Sequence, residues 1–388
     1  MCSGFVDRRL FIKLGTVSTL AAGLGIAGWR RAFSANAVVG PSPYGPLGSP
    51  DANGVALPAG FSARLLATTG QTVAGTTYPW HGQPDGGSCF ADPAGGGWVY
   101  VSNSELNGRN GGAGALKFRA DGSVASAYAI LGGTKWNCAG GATPWRTWLS
   151  CEEHRAGYVW ECDPYAPGQG TALPALGKFP HEAAVVDTDT GYVYLTEDDY
   201  ESRLYRFRPD VWGNLSTGVL EAAALQSNGT IAWIAVRPDR PYRGKDTTPF
   251  ARGEGAWFAD GIVYFCTTAD HRVWAHDVQA GTLEVIYDAV TLGSAAPLRE
   301  PDNVTVDRRT GDIYVAEDDD DLQLVLLADG QGQRIAAPFL QLTGHGGSEI
   351  AGPAFSPDGT RLYFSSQRGR DRKNGMTFEI AGPFRTQP

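Results

Sequence analysis

Acidic side chains and one cysteine recur at the two ends of short apolar segments in this sequence. Those at the start of such segments are Cys138, Glu182, Glu254, Asp302 and Glu349, and those at the end are Glu105, Glu153 and Glu317. Carboxylates within a few ångströms of one another repel, so a group of them needs hydration or bound cations. Carboxylate oxygens suit Ca²⁺ or Mg²⁺, whereas a cysteine among them suggests a softer transition metal such as iron. These eight residues are therefore candidate metal ligands.

Each candidate also has an ordinary structural explanation. A lone cysteine such as Cys138 is more often a small buried apolar residue than a ligand. Glu153, Glu182 and Glu254 taken singly would be surface charges, and most of the acidic run at 318–321 would be solvated. The six cysteines include no Cys-x-x-Cys pair and the chain has only six histidines. A zinc ribbon, a thioredoxin-like site and a histidine-rich zinc site are therefore excluded.

A strand pattern that occurs six times indicates which elements position these residues. Each copy has a turn, usually with glycine, then an aliphatic and aromatic triplet, then small polar and acidic residues. The central aromatic residues are Tyr100, Trp148, Tyr194, Tyr264, Tyr314 and Tyr363. Their spacings are 48, 46, 70, 50 and 49 residues, and propeller blades repeat at about 40–50 residues. The longest interval is too short for a seventh blade and predicts an insertion near residues 209–250.

A shorter apolar segment precedes each copy, so the repeated unit is a β-hairpin. In an antiparallel hairpin the start of the first strand lies beside the end of the second. The position five residues after the aromatic is Glu105, Glu153, Asp199 and Asp319 in four copies. Closing six hairpins into a ring would collect these acidic ends at one mouth of a channel. The sequence thus predicts an all-β fold, a six-bladed β-propeller over residues 61–388 with a metal cluster at one end of the central channel. A β-sandwich is the alternative.

The first 37 residues have the pattern of an export signal. Arg8 and Arg9 precede an apolar stretch, and Ala35 and Ala37 offer a cleavage site. This resembles a twin-arginine signal peptide, which implies the twin-arginine export machinery as a partner and a periplasmic or secreted protein. No stable membrane insertion is expected after processing, and an uncleaved membrane anchor is the alternative. Residues 38–60, rich in glycine, proline and serine, are predicted to be a linker.

The charge balance bears on the class of partner. The formal net charge is −9, a field that repels a phosphate backbone, and no basic stripe is present. Nucleic-acid binding is therefore excluded. Bound cations are the natural explanation for the excess of acid.

Several segments resemble the PhoX-type alkaline phosphatase family. The most distinctive is Asn137-Cys138-Ala139-Gly140-Gly141-Ala142-Thr143-Pro144-Trp145, followed by Thr147-Trp148-Leu149-Ser150-Cys151-Glu152-Glu153. The further matches are His181-Glu182-Ala183, Thr196-Glu197-Asp198-Asp199, Arg252-Gly253-Glu254-Gly255, Pro301-Asp302-Asn303 and residues 349–359. They follow in order along nearly all of the chain after residue 60, so the resemblance is more specific than a lone motif.

The resemblance implies a cofactor of an iron pair (Fe³⁺) with several calcium ions (Ca²⁺) at one end of the channel. The positions that look like iron ligands are Cys138, Glu153, Glu182 and Glu254. The positions that look like calcium ligands are Asp302, Glu317 and Glu349.

Two arginines bear on the chemistry that the resemblance implies. Arg252 resembles a phosphate-binding, catalytic arginine, because a guanidinium fork suits phosphate geometry. Arg146 departs from the family pattern, since a glycine is usual there, and we expect its turn to lie close to the cluster.

The candidate ligands and the resemblance together lead to the hypothesis that the protein hydrolyses a small phosphate ester. The metals would bind phosphate oxygens, a metal-bound oxide or hydroxide would attack phosphorus, and Arg252 would steady the transition state. No serine–histidine–acid pattern is present. Two alternatives remain: a calcium-dependent, lactonase-like propeller hydrolase of another ester class, and a non-catalytic binding propeller stabilised by calcium.

Overall fold

The structure is a computed structural model that describes residues 36–318, 321–330 and 332–387. All but the last two residues of the predicted export signal lie outside these ranges. Within them, no helix has the length and apolar character needed to cross a membrane.

Three short strands precede the first complete blade, and blades one to three follow in chain order. The early strands are β1 (Val38–Val39), β2 (Val55–Ala56) and β3 (Ser62–Thr68). Blade one is β4 (Pro84–Ala91), β5 (Trp98–Ser104), β6 (Gly111–Phe118) and β7 (Val124–Thr134). Blade two is β8 (Asn137–Ala142), β9 (Trp148–Glu152), β10 (Val159–Cys162) and β11 (Thr171–Ala172). Blade three is β12 (His181–Val186), β13 (Val193–Glu197), β14 (Tyr205–Val211), β15 (Asn214–Leu225) and β16 (Ile231–Ala235).

Blades four to six complete the ring. Blade four is β17 (Gly253–Ala259), β18 (Ile262–Thr267), β19 (Arg272–Asp277) and β20 (Thr282–Asp288). Blade five is β21 (Pro301–Asp307), β22 (Asp312–Glu317), β23 (Gln323–Asp329) and β24 (Arg334–Leu342). Blade six is β25 (Ile350–Phe355), β26 (Arg361–Ser366) and β27 (Met376–Ala381), with β3 as its outer strand. The described helical segments are a short helix α1 (Ala289–Leu292) and 3₁₀ turns at Pro174–Leu176 and Gly293–Ala295.

The innermost strands β4, β8, β12, β17, β21 and β25 line a central channel, each in contact with the next around the ring. The amino-terminal strand β3 pairs with β27 near the carboxyl end, from Met376 opposite Thr68 to Ala381 opposite Ser62. Both ends of the chain therefore hold one blade together, which closes the ring. The predicted six-bladed β-propeller is confirmed, and the long interval holds the fifth strand of blade three.

The repeated aromatic residues pack where neighbouring blades meet. Tyr100 of blade one stacks on Tyr363 of blade six, with ring centroids 5.0 Å apart. Trp148 of blade two donates its indole N–H to the Asn103 side chain of blade one. Large flat side chains fill the wedge between twisted sheets, and their polar tips find partners across it.

The segment 38–60 follows the outer strand of blade five. Val38 pairs in parallel with Ile335, and Val55 pairs antiparallel with Leu342, both partners being on β24. The Tyr44 ring packs edge-on against Phe339 at 5.4 Å. The predicted linker thus packs against the propeller over the part that precedes β3.

The waist of the channel is formed by glycines at which the inner strands touch. A Cβ atom on Gly141 of β8 would lie 2.0 Å from the carbonyl oxygen of Ala184 on β12. A Cβ atom on Gly86 would lie 2.4 Å from the Cα atom of Ala139, and one on Gly255 2.7 Å from the Cα atom of Asn303. Backbone atoms cannot give way as a flexible side chain can, so this spacing requires glycine.

We expect Gly141→Ala to lower the free energy of unfolding by about 3 kcal/mol, because the methyl group would force β8 and β12 apart. Thermal and urea denaturation measure the change. The matched control is Gly132→Ala in β7, where nothing lies within 4 Å of the added Cβ atom. Equal stability of the two variants would show that the strands are not in contact at Gly141.

Candidate metal centre

A β-bulge interrupts each of the first five inner strands at equivalent places. The bulged pairs are Asp85–Gly86, Cys138–Ala139, Glu182–Ala183, Glu254–Gly255 and Asp302–Asn303. A bulge adds one residue to a strand and re-aims a side chain. The first residue of every pair is an acid or the cysteine. Five blades therefore supply one ionisable side chain each to the same end of the channel.

The ends of the second strands form a further ring. In each blade one residue at this place donates its backbone N–H to the carbonyl oxygen of the residue that directly precedes the inner strand. These residues are Glu105, Glu153, Asp198, Thr268, Asp318 and Gln367. The position that sequence spacing assigned to Asp199 belongs to Asp198, because β13 ends sooner after its aromatic residue than β9 does. Asp199 instead accepts the N–H of Glu201 in a turn.

The two rings meet in three groups of potential ligand atoms. Within each group these atoms all lie within 4.8 Å of one another. The groups are Glu105–Cys138–Glu153, Asp85–Glu105–Glu349 and Glu182–Glu254–Asp302. Seven of the eight sequence-predicted ligands are thus brought together, with Asp85 added. All six blades contribute.

Glu317 is the predicted ligand that the structure leaves out of these groups. Its two carboxylate oxygens accept the backbone N–H groups of Arg299 and Gln323. Glu152 and Glu197, at the same place in blades two and three, also accept backbone N–H groups from the following loops. Glu317 therefore ties a loop to the end of β22.

Two arginines border the cluster. Arg252 binds Asp198 through two hydrogen bonds of 2.9 Å each, and its Nη2 lies 3.1 Å from Glu254. Its side chain is 32% exposed, so part of the guanidinium faces solvent. Arg368 lies 3.0 Å from Glu349 on blade six. Among the described residues, the other five carboxylates of the three groups have no ion pair.

Burial and mutual repulsion dominate the electrostatics of the cluster. Burial first, and the charges of Glu254, Glu153 and Asp302 next, raise the pKa of Glu182 well above its usual value. Burial and Glu105 raise the pKa of Asp85 to about 7. Without cations such carboxyl groups hold protons, whereas bound cations favour their ionised form.

Burial and neighbouring negative charges also raise the pKa of the cysteine in the cluster. Burial first, and then the charges of Asp85 and Glu182, raise the pKa of the Cys138 thiol well above its usual value. The thiolate is the metal-binding form, so a bound cation is what would keep Cys138 deprotonated in this setting.

Two buried side-chain oxygen atoms without hydrogen-bond partners bear on whether these residues could hold a metal ion. Oε1 of Glu182 is buried and has no hydrogen-bond partner, and neither has Oε1 of Gln367. The amide nitrogen of Gln367, which carries two N–H donors, lies within hydrogen-bonding distance of the Asp85, Glu105 and Glu349 carboxylates. Buried oxygen atoms without donors are costly unless a cation or water satisfies them. The donor set, seven carboxylates and one thiol, fits hard cations together with one softer metal.

Sequence reasoning missed Asp85, Asp198, Gln367 and Arg368. Asp85 had a signal, because Pro84-Asp85-Gly86 has the form of Pro301-Asp302-Asn303. Gln367 had none, since the sixth copy of the strand pattern ends in serines and an amide rather than an acid.

The structure also places Arg146 away from the cluster, contrary to the expectation for its turn. Strand β8 begins beside Cys138 and runs through the channel wall to Ala142, and Arg146 lies in the turn that follows. Six strand residues span about 20 Å. Arg146 is therefore at the opposite mouth of the channel.

Known proteins resemble this chain in sequence and in fold. The family described as alkaline phosphatase PhoX matches residues 86–156 and 153–284. PhoX of Pseudomonas fluorescens, solved in complex with vanadate, a transition state analogue, superposes with a TM-score of 0.70 at 16% identity, over 91% of this chain and 98% of that one. A structural genomics protein of unknown function from Bacteroides thetaiotaomicron gives a TM-score of 0.51 at 11% identity, over 82% and 76% of the two chains. No protein with curated annotation matches.

At these identities the structural similarity shows a shared propeller fold. The family match covers just over half of the 388 residues. It includes four blades and the ligand candidates Glu105, Cys138, Glu153, Glu182 and Glu254. The chain belongs to the PhoX family of alkaline phosphatases.

Proposed function

We propose that this phosphatase hydrolyses small phosphomonoesters at a cluster of iron and calcium ions held in the three ligand groups. The observation that carries the proposal is the convergence of Cys138 with seven carboxylates, drawn from all six blades, with Arg252 beside Glu254 and Arg368 beside Glu349. Such a concentration of negative charge binds cations, and cations with arginine beside them bind phosphate.

The three groups differ in the metal ion that their ligand atoms favour. Glu105–Cys138–Glu153 is the one group with sulfur and is the proposed iron site. The two all-oxygen groups suit Ca²⁺, and ferric iron also accepts carboxylates. Glu182 lies near enough to Cys138 for its charge to raise the pKa of the thiol, so the Glu182–Glu254–Asp302 group adjoins the proposed iron site. When bound, these cations supply positive charge to phosphate oxygens and activate an oxygen nucleophile.

Arg252 is the proposed phosphate clamp among the chain's own residues. Asp198 holds the Nε and Nη2 atoms of its guanidinium, which fixes the plane of the group beside Glu254. Donors fixed in advance bind the charge that develops on transferring oxygens without reorganisation. Asp198 thus positions Arg252, and its side chain also lies within hydrogen-bonding distance of Glu153.

Family membership supports the proposed reaction. The solved PhoX of Pseudomonas fluorescens holds vanadate, described there as a transition state analogue. The two chains share the propeller, and in this one ligand candidates from all six blades lie at one end of the channel. A lactonase-like hydrolase would need one calcium ion, whereas three groups of ligands are present here.

We also propose that residues 1–37 are a twin-arginine export signal and that the propeller, residues 61–388, acts in the periplasm or outside the cell. Support comes from the paired Arg8 and Arg9 and from the need to load several cations into a folded ring before export. Amino-terminal sequencing of the exported protein tests this, with a start at Val38 expected and a retained Met1 contradicting cleavage.

We expect Cys138→Ala and Glu254→Gln to lower turnover of an aryl phosphate more than about 100-fold, because each removes a ligand. Elemental analysis of the same samples would show loss of bound metal, and circular dichroism an intact fold. The matched controls are Cys162→Ala, a buried cysteine outside the groups, and Glu317→Gln, at the end of β22, whose carboxylate accepts backbone N–H groups. Near-normal turnover in either ligand variant would refute its assignment.

For Arg252→Lys we expect a fall in kcat/KM of about 10²–10³, because a lysine cannot keep the two hydrogen bonds to Asp198 and still reach phosphate. The iron and calcium content should stay at the level of the parent protein. Arg237→Lys, which alters an exposed ion pair with Asp239, is the control. An unchanged kcat/KM would remove Arg252 from the phosphate site.

A further inference from the structure

The channel mouth opposite the metal centre holds a cavity of about 620 Å³. It is lined by the far ends of the inner strands and by the turns that follow them, in blades one to six. Between this cavity and the ligand groups the channel narrows to a space of about 20 Å³ at the glycine waist. A substrate could not pass through that space, so the cavity is separate from the metal centre.

Aromatic side chains form much of the cavity wall. They are Phe90, Tyr165, Trp257, Phe258 and Phe355, which come from four different blades. Flat aromatic side chains around a cavity suit the apolar body of a small ligand.

Two arginines give this cavity a net positive charge. Arg146 and Arg308 line it, and in the described part of the chain neither guanidinium group makes a hydrogen bond or an ion pair. The lining acids are already paired: Asp92 with Lys117 at 2.8 Å, and Asp307 with Arg309 at 2.7 Å. The whole chain has a net charge of −9, so two guanidinium groups without acidic partners at one channel mouth differ from its overall negative charge.

The positions of these arginines indicate a ligand between them. Arg146 follows the inner strand of blade two and Arg308 that of blade five, which face each other across a six-membered ring. Arg146 also has a φ of 67°, a left-handed conformation that favours glycine and is costly for other residues. A charged side chain kept in a strained conformation at a pocket rim is typical of a binding residue.

We propose that this mouth is a second binding site, for a small organic anion with an aromatic or apolar body. The anionic group, a carboxylate, sulfonate or phosphoryl, pairs with Arg146 and Arg308, and the body packs on Trp257, Phe258 and Phe355. The site is independent of the proposed metal chemistry, because the waist of the channel separates the two.

The test measures binding of naphthalene sulfonate to the metal-loaded protein by calorimetry, with the uncharged naphthalene sulfonamide as the comparison probe. We expect Arg146→Gly and Arg308→Gln each to weaken sulfonate binding at least about tenfold. The control variant Arg240→Gln, an exposed arginine outside the cavity, should bind as the parent does. The kcat/KM for an aryl phosphate should be unchanged in all three variants.

Several results would overturn the proposal. These are no sulfonate binding to the parent protein, equal binding of the sulfonamide, and equal binding by the arginine variants. Loss of binding in only one arginine variant would also contradict a ligand held between both. Inhibition of the phosphatase by the sulfonate that is insensitive to Arg146 and Arg308 would place the probe at the metal centre instead.

Discussion

Repulsion between buried carboxylates is the constraint on which this structure depends. Seven carboxyl groups and a thiol from six blades meet in three small groups, and only Glu254 and Glu349 among those acids have an arginine partner in the described chain. Burial alone raises the pKa of such groups, and each neighbour raises it further. Bound cations would reverse that balance and would turn the most repulsive part of the ring into a contact that every blade shares. Metal binding and closure of the ring are therefore expected to be coupled.

The propeller supplies the geometry for this convergence. Inner strands run in the same direction through the ring, so equivalent residues of all blades reach the same mouth. A bulge near the start of five inner strands turns one ionisable side chain toward the axis, and the glycine waist holds the strands close enough for those side chains to meet. The same arrangement sends the turns after the inner strands to the other mouth, where aromatic and arginine side chains replace the acids. The two mouths thus differ in charge and in the chemistry they favour.

Much of this was predictable from the sequence, because strand repeats are local. The spacing of Tyr100, Trp148 and their equivalents predicted the blades, and hairpin pairing predicted that acids would meet. The exact residue at which each second strand ends beside its inner strand was not predictable from the sequence. The number of residues between the aromatic residue and the end of the second strand differs between blades, and for that reason Asp198 rather than Asp199 reaches the second ring. Gln367 was missed since an amide does not look like a ligand, and Arg146 was misplaced because the length of β8 decides which mouth its turn reaches.

The most direct test is a crystal structure of the metal-loaded protein with anomalous scattering data collected on both sides of the iron absorption edge. We predict an iron peak beside the Cys138 sulfur and the Glu105 and Glu153 carboxylates, with further cations in at least one all-oxygen group whose anomalous signal does not change across that edge. Iron peaks absent from the channel, or cation density located away from these carboxylates, would contradict it.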